Sequence, residues 1–198
     1  MLRTHGGVWH KQDRDAAKVP HTSSDPQAQG TQSGWHGWVA GCKLHLVTTV
    51  AAVWIPLVAD RTPATSADNE HGLKVLPELP AEVRYVLGAQ QYNDSDSRDG
   101  CAANSQSVVA TKRGAYPPTD DGVAVRRVFH SLRSRAIATV NEQFKGIFDA
   151  HGQVPTKGLT TPRCWALSAV LVYQLTVWYR HEHCLDLRVG LKPFLKAA

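Results

Sequence analysis

A long amphipathic segment in the second half of the chain constrains the fold more than any other feature. From Val125 to about Ala150 the large apolar residues recur at helical spacing and share one face: Ile137, Val140, Phe144, Ile147 and Phe148. A helix with a single apolar face needs another layer of structure to cover that face. The chain has 198 residues and is 42% hydrophobic, which is sufficient for one domain with a buried core.

Short β-type segments precede this helix. Lys43–Val47 alternates in hydropathy and predicts a strand, and Ala52–Val58 predicts a return strand with Pro56 at an edge or a bulge. Arg84–Leu87 and Val108–Thr111 predict two further strands. Because helical segments lie between and after these strands, the order indicates an α/β fold.

Two more helices and one polar segment are predicted around the strands. Residues 66–76 predict a short helix capped by Thr65 or Ser66, and residues 94–103 predict a weak helix or a polar loop. Arg163 to about His181 predicts a second long helix, apolar nearly all round, which is typical of a buried helix.

The beginning of the chain has a different composition. Residues 1–38 show little periodicity and are rich in Gly, Ser, Thr, Gln and His, so they are predicted to form an irregular N-terminal arm. Residues 39–198 are then predicted to form a single domain.

Basic residues outnumber acidic ones. The formal net charge is +5 and the isoelectric point is about 9.1, which favours an anionic partner, most commonly nucleic acid. The candidates for contact with a DNA backbone are basic residues on one strand, on the long helix and just before it: Lys43, Lys112, Arg113, Arg126, Arg127, Arg133, Arg135 and Lys145. An ordinary solvated helix face is the alternative interpretation of the same stripe.

Cysteine spacing and hydropathy bear on metal binding, membrane insertion and the cellular compartment. The four cysteines, Cys42, Cys101, Cys164 and Cys184, form no CxxC pair, so a zinc site is not predicted. The longest apolar run, Cys164–Tyr179, has about 16 residues, and a membrane-spanning helix needs roughly 20. No basic-then-apolar leader follows Met1, which predicts a cytoplasmic protein with reduced thiols and no membrane partner.

An ordered set of motifs resembles a known family. The set comprises Gly41–Val47, Pro56–Ala64 with Asp68, Tyr85–Gly88 with Tyr92–Asp94, and Val140–Lys145. Together they resemble the catalytic domain of DDE-type insertion-sequence transposases, which have a lysine-bearing strand, a return strand, a Thr-Pro step, a strand ending in Asp, and a helix carrying Glu. The resemblance implies a ribonuclease-H-like mixed sheet with flanking helices. The family's first strand is expected to be missing, because this chain begins after it, and its loss would leave a gap between strands.

The resemblance also implies metal-dependent phosphoryl transfer in the family and the loss of catalytic acids in this chain. In the family three carboxylates hold Mg²⁺ ions for phosphoryl transfer, because hard cations prefer oxygen ligands. By resemblance Glu142 is the third catalytic acid and a metal ligand; the alternative is a surface glutamate that pairs with Lys145. Ala89 stands where the second acid is expected, and the first acid belongs to the missing strand. We therefore expect impaired catalysis and doubtful Mg²⁺ binding.

Two functional hypotheses follow from these residues. The first is a transposase-like protein of DNA transposition that binds element ends but is catalytically impaired. The alternative is a non-catalytic DNA-binding or interaction module that interferes with an intact transposase. The expected partners are DNA and either further copies of this chain or an intact transposase.

Overall fold

The chain forms two compact units. The computed structural model describes residues 2–9, 29–33, 37–50, 52–110, 120–148, 160–188 and 191–196. The terminal unit comprises Met1–His45, Ala59–Ser66 and Glu142–Ala198, and the central unit comprises Leu46–Val58 and Ala67–Asn141.

Four strands form an antiparallel sheet around one long strand. Their bounds are Leu2–Trp9 (β1), Gln29–Ser33 (β2), Gly37–Thr48 (β3) and Pro56–Pro63 (β4). Strand β3 pairs antiparallel with β1, where Leu2 lies opposite Cys42, and with β2, where Gln29 lies opposite Gly41. Strand β4 also pairs with β3. The prediction of an irregular arm over residues 1–38 therefore differs from the structure, which has β1, β2 and the start of β3 in that range.

The return strand begins later than the sequence predicts. Strand β4 starts at Pro56 and continues through Pro63, whereas residues 52–55 belong to the turn before it. The hydroxyl of Thr49 holds this turn, since it donates to the carbonyl of Val53 and accepts from the amide of Ile55 at 2.8 Å. Ala52 lies at a positive φ of 54°, a conformation incompatible with a strand.

A parallel ladder is the centre of the other unit. Strands Tyr85–Gly88 (β5) and Ser107–Ala110 (β6) pair in parallel, with Tyr85 opposite Ser107 and Gly88 opposite Ala110. The connection between them contains a 3-10 turn, Gln90–Tyr92, and helix α2, Ser95–Ala103. Both strand predictions are confirmed. Among the described residues this ladder is a separate sheet, so the predicted α/β fold with flanking helices is confirmed and has two small sheets, one antiparallel and one parallel.

Two short helices pack beside the ladder. The N-cap residue of helix α1, Asp68–Val75, is Ala67, which makes no side-chain cap hydrogen bond. The predicted caps at Thr65 and Ser66 are therefore wrong. The N-cap residue of helix α2 is Asp94, whose carboxylate accepts from the amide of Ser97 at 2.8 Å and from the Ser97 hydroxyl at 2.9 Å. This cap makes residues 95–103 a helix rather than a polar loop. The apolar core of this unit is formed by Val58, Val75, Leu76, Leu79 and Cys101.

Three helices account for most of the described residues from 120 onward. The helices are Asp120–Phe148 (α3), Thr160–Glu182 (α4) and Leu191–Lys196 (α5). Helix α3 buries Val140 and Phe144 as predicted, whereas Ile137 is exposed. In the terminal unit the ring of Phe144 stacks on that of Tyr173 in α4, with centroids 5.6 Å apart.

Helix α4 is buried on one side only. That side comprises Ala166, Ala169, Val170, Tyr173 and Val177, while Leu171, Leu175 and Trp178 are exposed. The prediction of a wholly buried helix is therefore wrong, because only one side of α4 meets other elements. None of the described helices is long and apolar enough to cross a bilayer.

Candidate functional site

A cavity of about 240 Å³ lies at the carboxyl ends of the two parallel strands. Gly88 at the end of β5, Ala110 at the end of β6 and Asn93 in the following turn form one wall. One side of helix α3 forms the other wall. In α/β proteins ligands bind at this edge of a parallel sheet, because the loops and helix ends that leave the strands converge there.

Helical spacing brings the polar side chains of α3 to this cavity. Arg126, Phe129, His130 and Arg133 line it and follow one another at i, i+3, i+4 and i+7, which places them on one side of the helix. Phe129 also contacts β5, since its ring centroid lies 6.2 Å from that of Tyr85. The contact between Phe129 and Tyr85 packs α3 against the ladder and so helps to position Arg126, His130 and Arg133 at the cavity.

Basic side chains line the cavity. Two arginines and a histidine are among its ten lining residues, and none of these ten is acidic. An arginine side chain stays protonated at any physiological pH. The surrounding sequence extends this bias, because the 20 residues between Asp121 and Glu142 contain four arginines and no acidic residue. Such a site attracts an anion and repels a divalent cation.

Ala89 follows the last residue of β5, at the position where the resemblance predicts a catalytic acid. It begins the 3-10 turn with an extended backbone, and its methyl group has no atom that binds a metal. Tyr92 packs against the same strand end, where a Cβ placed on Gly88 would lie 2.8 Å from the Cβ of Tyr92. Burial raises the pKa of the Tyr92 hydroxyl, and the nearby Asp68 carboxylate raises it further.

The residues at this edge do not fit Mg²⁺. The ion takes oxygen ligands, chiefly carboxylates, and the polar side chains here are guanidinium, imidazole and carboxamide groups. Among the described residues no group of three or more His, Cys, Asp or Glu side chains is arranged to hold a metal ion. The metal centre implied by the resemblance therefore has no counterpart at the end of β5.

Glu142 is exposed on α3 and belongs to the terminal unit, whereas Ala89 belongs to the central unit. It follows Arg133 by nine positions. That spacing is about two and a half helical turns, so the two side chains leave opposite sides of the helix. Its assignment as a catalytic acid and metal ligand stays a prediction.

The other predicted DNA contacts differ in their surroundings. Arg127 and Arg135 are exposed on α3 but leave the helix away from the cavity row, with Arg135 nearly opposite it, and Arg135 donates to the hydroxyl of Ser131 at 2.7 Å. The Lys43 ammonium donates to the carbonyl of Ser66 at 2.7 Å, so it holds the turn after β4. Lys145 is exposed in the terminal unit. Lys112 and Arg113 lie outside the described residues.

His130 and Asn93 were not among the predicted site residues. His130 is four positions after Arg126 and three before Arg133, and this spacing alone identifies the shared row. Asn93 reaches the cavity through the turn after β5, which has no sequence signal comparable to a helix period.

Comparisons of this chain with protein-family models, with curated proteins and with solved structures find no match. The resemblance to DDE-type transposases rests on the residues quoted above.

Proposed function

We propose that this chain is a transposase-like protein that binds the DNA backbone and does not cut it. The observation that carries the proposal is the cavity at the carboxyl ends of β5 and β6, which Arg126, His130 and Arg133 line together. A DNA phosphate has the charge and the acceptor oxygens that this set of donors requires.

Arginine geometry favours phosphate over other anions. The guanidinium group is planar and presents parallel N–H donors that match two phosphate oxygens. Arg126 and Arg133 lie seven residues apart. At a rise of 1.5 Å per residue their positions are separated by roughly 10 Å along the helix. Arg127 is exposed one position after Arg126 and adds a positive charge beside the row, which suits more than one phosphate of one backbone. Arg135 leaves the opposite side of the helix and is not part of this surface.

Two features support a relation to the transposase fold. Ala89 follows a parallel strand, as the second acid does in the family pattern. The α/β arrangement of small sheets and flanking helices is compatible with the ribonuclease-H-like fold that the resemblance implies. Two-metal cleavage needs carboxylates at this edge, and a positive cavity opposes the metal ions. The proposed activity is therefore binding alone.

The alternative of an interaction module has one specific observation in its favour. The exposed side of α4 presents Leu171, Leu175 and Trp178, which form a surface suited to a second protein chain. The DNA-binding proposal and this alternative are compatible, because the residues that support them lie in different units.

Fluorescence anisotropy with a labelled duplex over a salt series tests DNA binding. We expect Arg126→Gln and Arg133→Gln each to weaken binding several-fold and to reduce the salt slope by about one, since each removes one phosphate contact. Arg188→Gln is the control, because it removes the same charge from an exposed residue outside the cavity. Equal losses in all three variants would show that only net charge matters and would contradict the proposal.

A nicking assay with Mg²⁺ tests the absence of catalysis. Supercoiled plasmid is expected to remain intact in the presence of the wild-type chain and Mg²⁺. Cleavage that disappears in Glu142→Gln would restore Glu142 as a catalytic acid and would overturn the proposal. Contaminating nucleases are recognised because they act equally in both preparations.

A further inference from the structure

Helix α4 leaves a large apolar face uncovered. Leu171 is 53% exposed, Leu175 47% and Trp178 62%, although neighbouring positions of the same helix are buried. The sequence contains no charged residue between Arg163 and Arg180. A long uncharged and exposed helix face is unsuited to nucleic acid and is typical of a protein–protein contact.

The C-terminal end of this face is held in a defined shape. The ring of Tyr179 lies 5.4 Å from the ring of Phe194 and so holds helix α5 against α4. The indole of Trp178 donates to the carboxylate of Glu182 at 3.2 Å. Between these groups lies a groove of about 500 Å³ lined mainly by apolar side chains. A preformed apolar surface with a fixed indole lowers the entropic cost of association.

We propose that this face is the interface of a homodimer in which α4 packs antiparallel against α4 of a second copy. The two-fold axis passes between Leu171 and Leu175, so that each leucine contacts the other leucine of the second copy. The same register sets Ser168 opposite Trp178 and Cys164 opposite Glu182. This interface is independent of the proposed DNA-binding site.

Self-complementarity favours a second copy as the occupant. In an antiparallel pair, a residue at a given distance before the two-fold axis lies opposite the residue at the same distance after the axis in the second copy. With the axis between Leu171 and Leu175, the large Trp178 lies opposite the small Ser168, as close packing of helices requires. The last turn of α4 carries Arg180 and His181 as well as Glu182, so its charge is mixed. In the antiparallel register Arg163 lies near Glu182 of the second copy, whereas a parallel pair would set Arg163 beside Arg163 and Glu182 beside Glu182.

The area is sufficient for a specific dimer. Seven large apolar side chains of α4 and the following turn are exposed: Leu167, Leu171, Val172, Leu175, Trp178, Tyr179 and Leu185. Their exposed surface is on the order of 600 Å² per copy, the upper end of what a monomer leaves uncovered. Two copies would then bury about 1,200 Å², which reaches the range of specific interfaces.

Sedimentation velocity of the full chain tests the dimer. The wild-type chain is expected to sediment as a dimer and Leu171→Glu as a monomer, because the substitution places a carboxylate beside the axis. Val128→Glu is the control: Val128 is 57% exposed on α3, so the same charge is added at a comparable apolar site. Circular dichroism establishes that each variant is folded. A folded wild-type monomer at about 100 µM, or a dimer that Leu171→Glu leaves intact, overturns the proposal.

Cross-linking tests the antiparallel register. Glu182→Cys in a Cys184→Ser background is oxidised with copper phenanthroline and is expected to give a disulfide-linked dimer through the native Cys164 of the other copy. These positions are 18 residues apart in one chain. That spacing is roughly 27 Å along the helix, too far for an internal disulfide. Adding Cys164→Ser is expected to abolish the cross-link. Persistence would indicate a parallel pair, and failure of the first variant to cross-link would exclude the register.

Discussion

The ring of Phe129 on helix α3 lies 6.2 Å from the ring of Tyr85 on strand β5. This tilted contact joins the helix that carries Arg126 and Arg133 to the parallel ladder whose ends form the cavity. Because side chains at helical spacing share one side, fixing Phe129 also fixes its basic neighbours. The position of the basic side chains that line the cavity thus depends on an apolar contact between α3 and β5.

Removing this contact should affect stability and binding together. Phe129→Ala deletes a half-buried aromatic ring, and we expect it to lower the free energy of unfolding by about 1–3 kcal/mol. DNA affinity should fall as well, because the row of basic side chains loses its position. Urea denaturation and anisotropy measure the two effects. Val128→Ala is the control at the adjacent exposed position, and equal effects of the two substitutions would contradict this role of Phe129.

Two glycines should respond oppositely to alanine. At Gly88 the new Cβ would lie 2.8 Å from the Cβ of Tyr92, so Gly88→Ala is expected to lower the melting temperature. At Gly146 in helix α3 nothing lies within 4 Å. There alanine is expected to raise stability by about 0.5–1 kcal/mol through its higher helix propensity. Thermal unfolding followed by circular dichroism decides, and an unchanged melting temperature for Gly88→Ala would show that Tyr92 does not pack there.

The cap of helix α2 predicts a pH dependence. Hydrogen bonds from the amide and the hydroxyl of Ser97 hold the pKa of Asp94 below its usual value. A carboxyl group with a lowered pKa stabilises the fold above its unfolded pKa of about 4, and this contribution is lost as pH falls through the folded pKa. Asp94→Asn keeps a capping oxygen but cannot titrate, so its stability should fall less than that of the wild type between pH 6 and 3. Parallel stability curves for the two proteins would refute the assignment.

Short-range sequence patterns predicted much of the secondary structure, whereas the pairing of strands was harder to predict. The strand ending at Gly88 and the long helix α3 follow from short-range patterns, so both were predicted. Strands β1 and β2 lack alternating hydropathy, and their pairing with β3 depends on residues far away in sequence. Helix α4 is apolar nearly all round, so its sequence has no hydrophobic periodicity that would indicate which side is buried.

The candidate site was predicted in its charges but not in its geometry. Arg126 and Arg133 follow from the basic stripe, whereas the stripe alone cannot show that they share a cavity with the ends of two strands. That relationship requires α3 to lie across a parallel ladder. Ala89 was identified by resemblance alone, and the structure adds that Arg126, His130 and Arg133 line the cavity at the end of the same strand.

The most direct test of the central claim is isothermal titration calorimetry with pyrophosphate and, separately, with Mg²⁺. Constant ionic strength keeps nonspecific screening equal in all titrations. An anion site predicts that pyrophosphate binds the wild-type chain and Arg188→Gln alike, that Arg133→Gln weakens binding about tenfold or more, and that Mg²⁺ alone gives no saturable heat. Saturable Mg²⁺ binding, or pyrophosphate binding that is the same in Arg133→Gln and the wild type, would contradict the account.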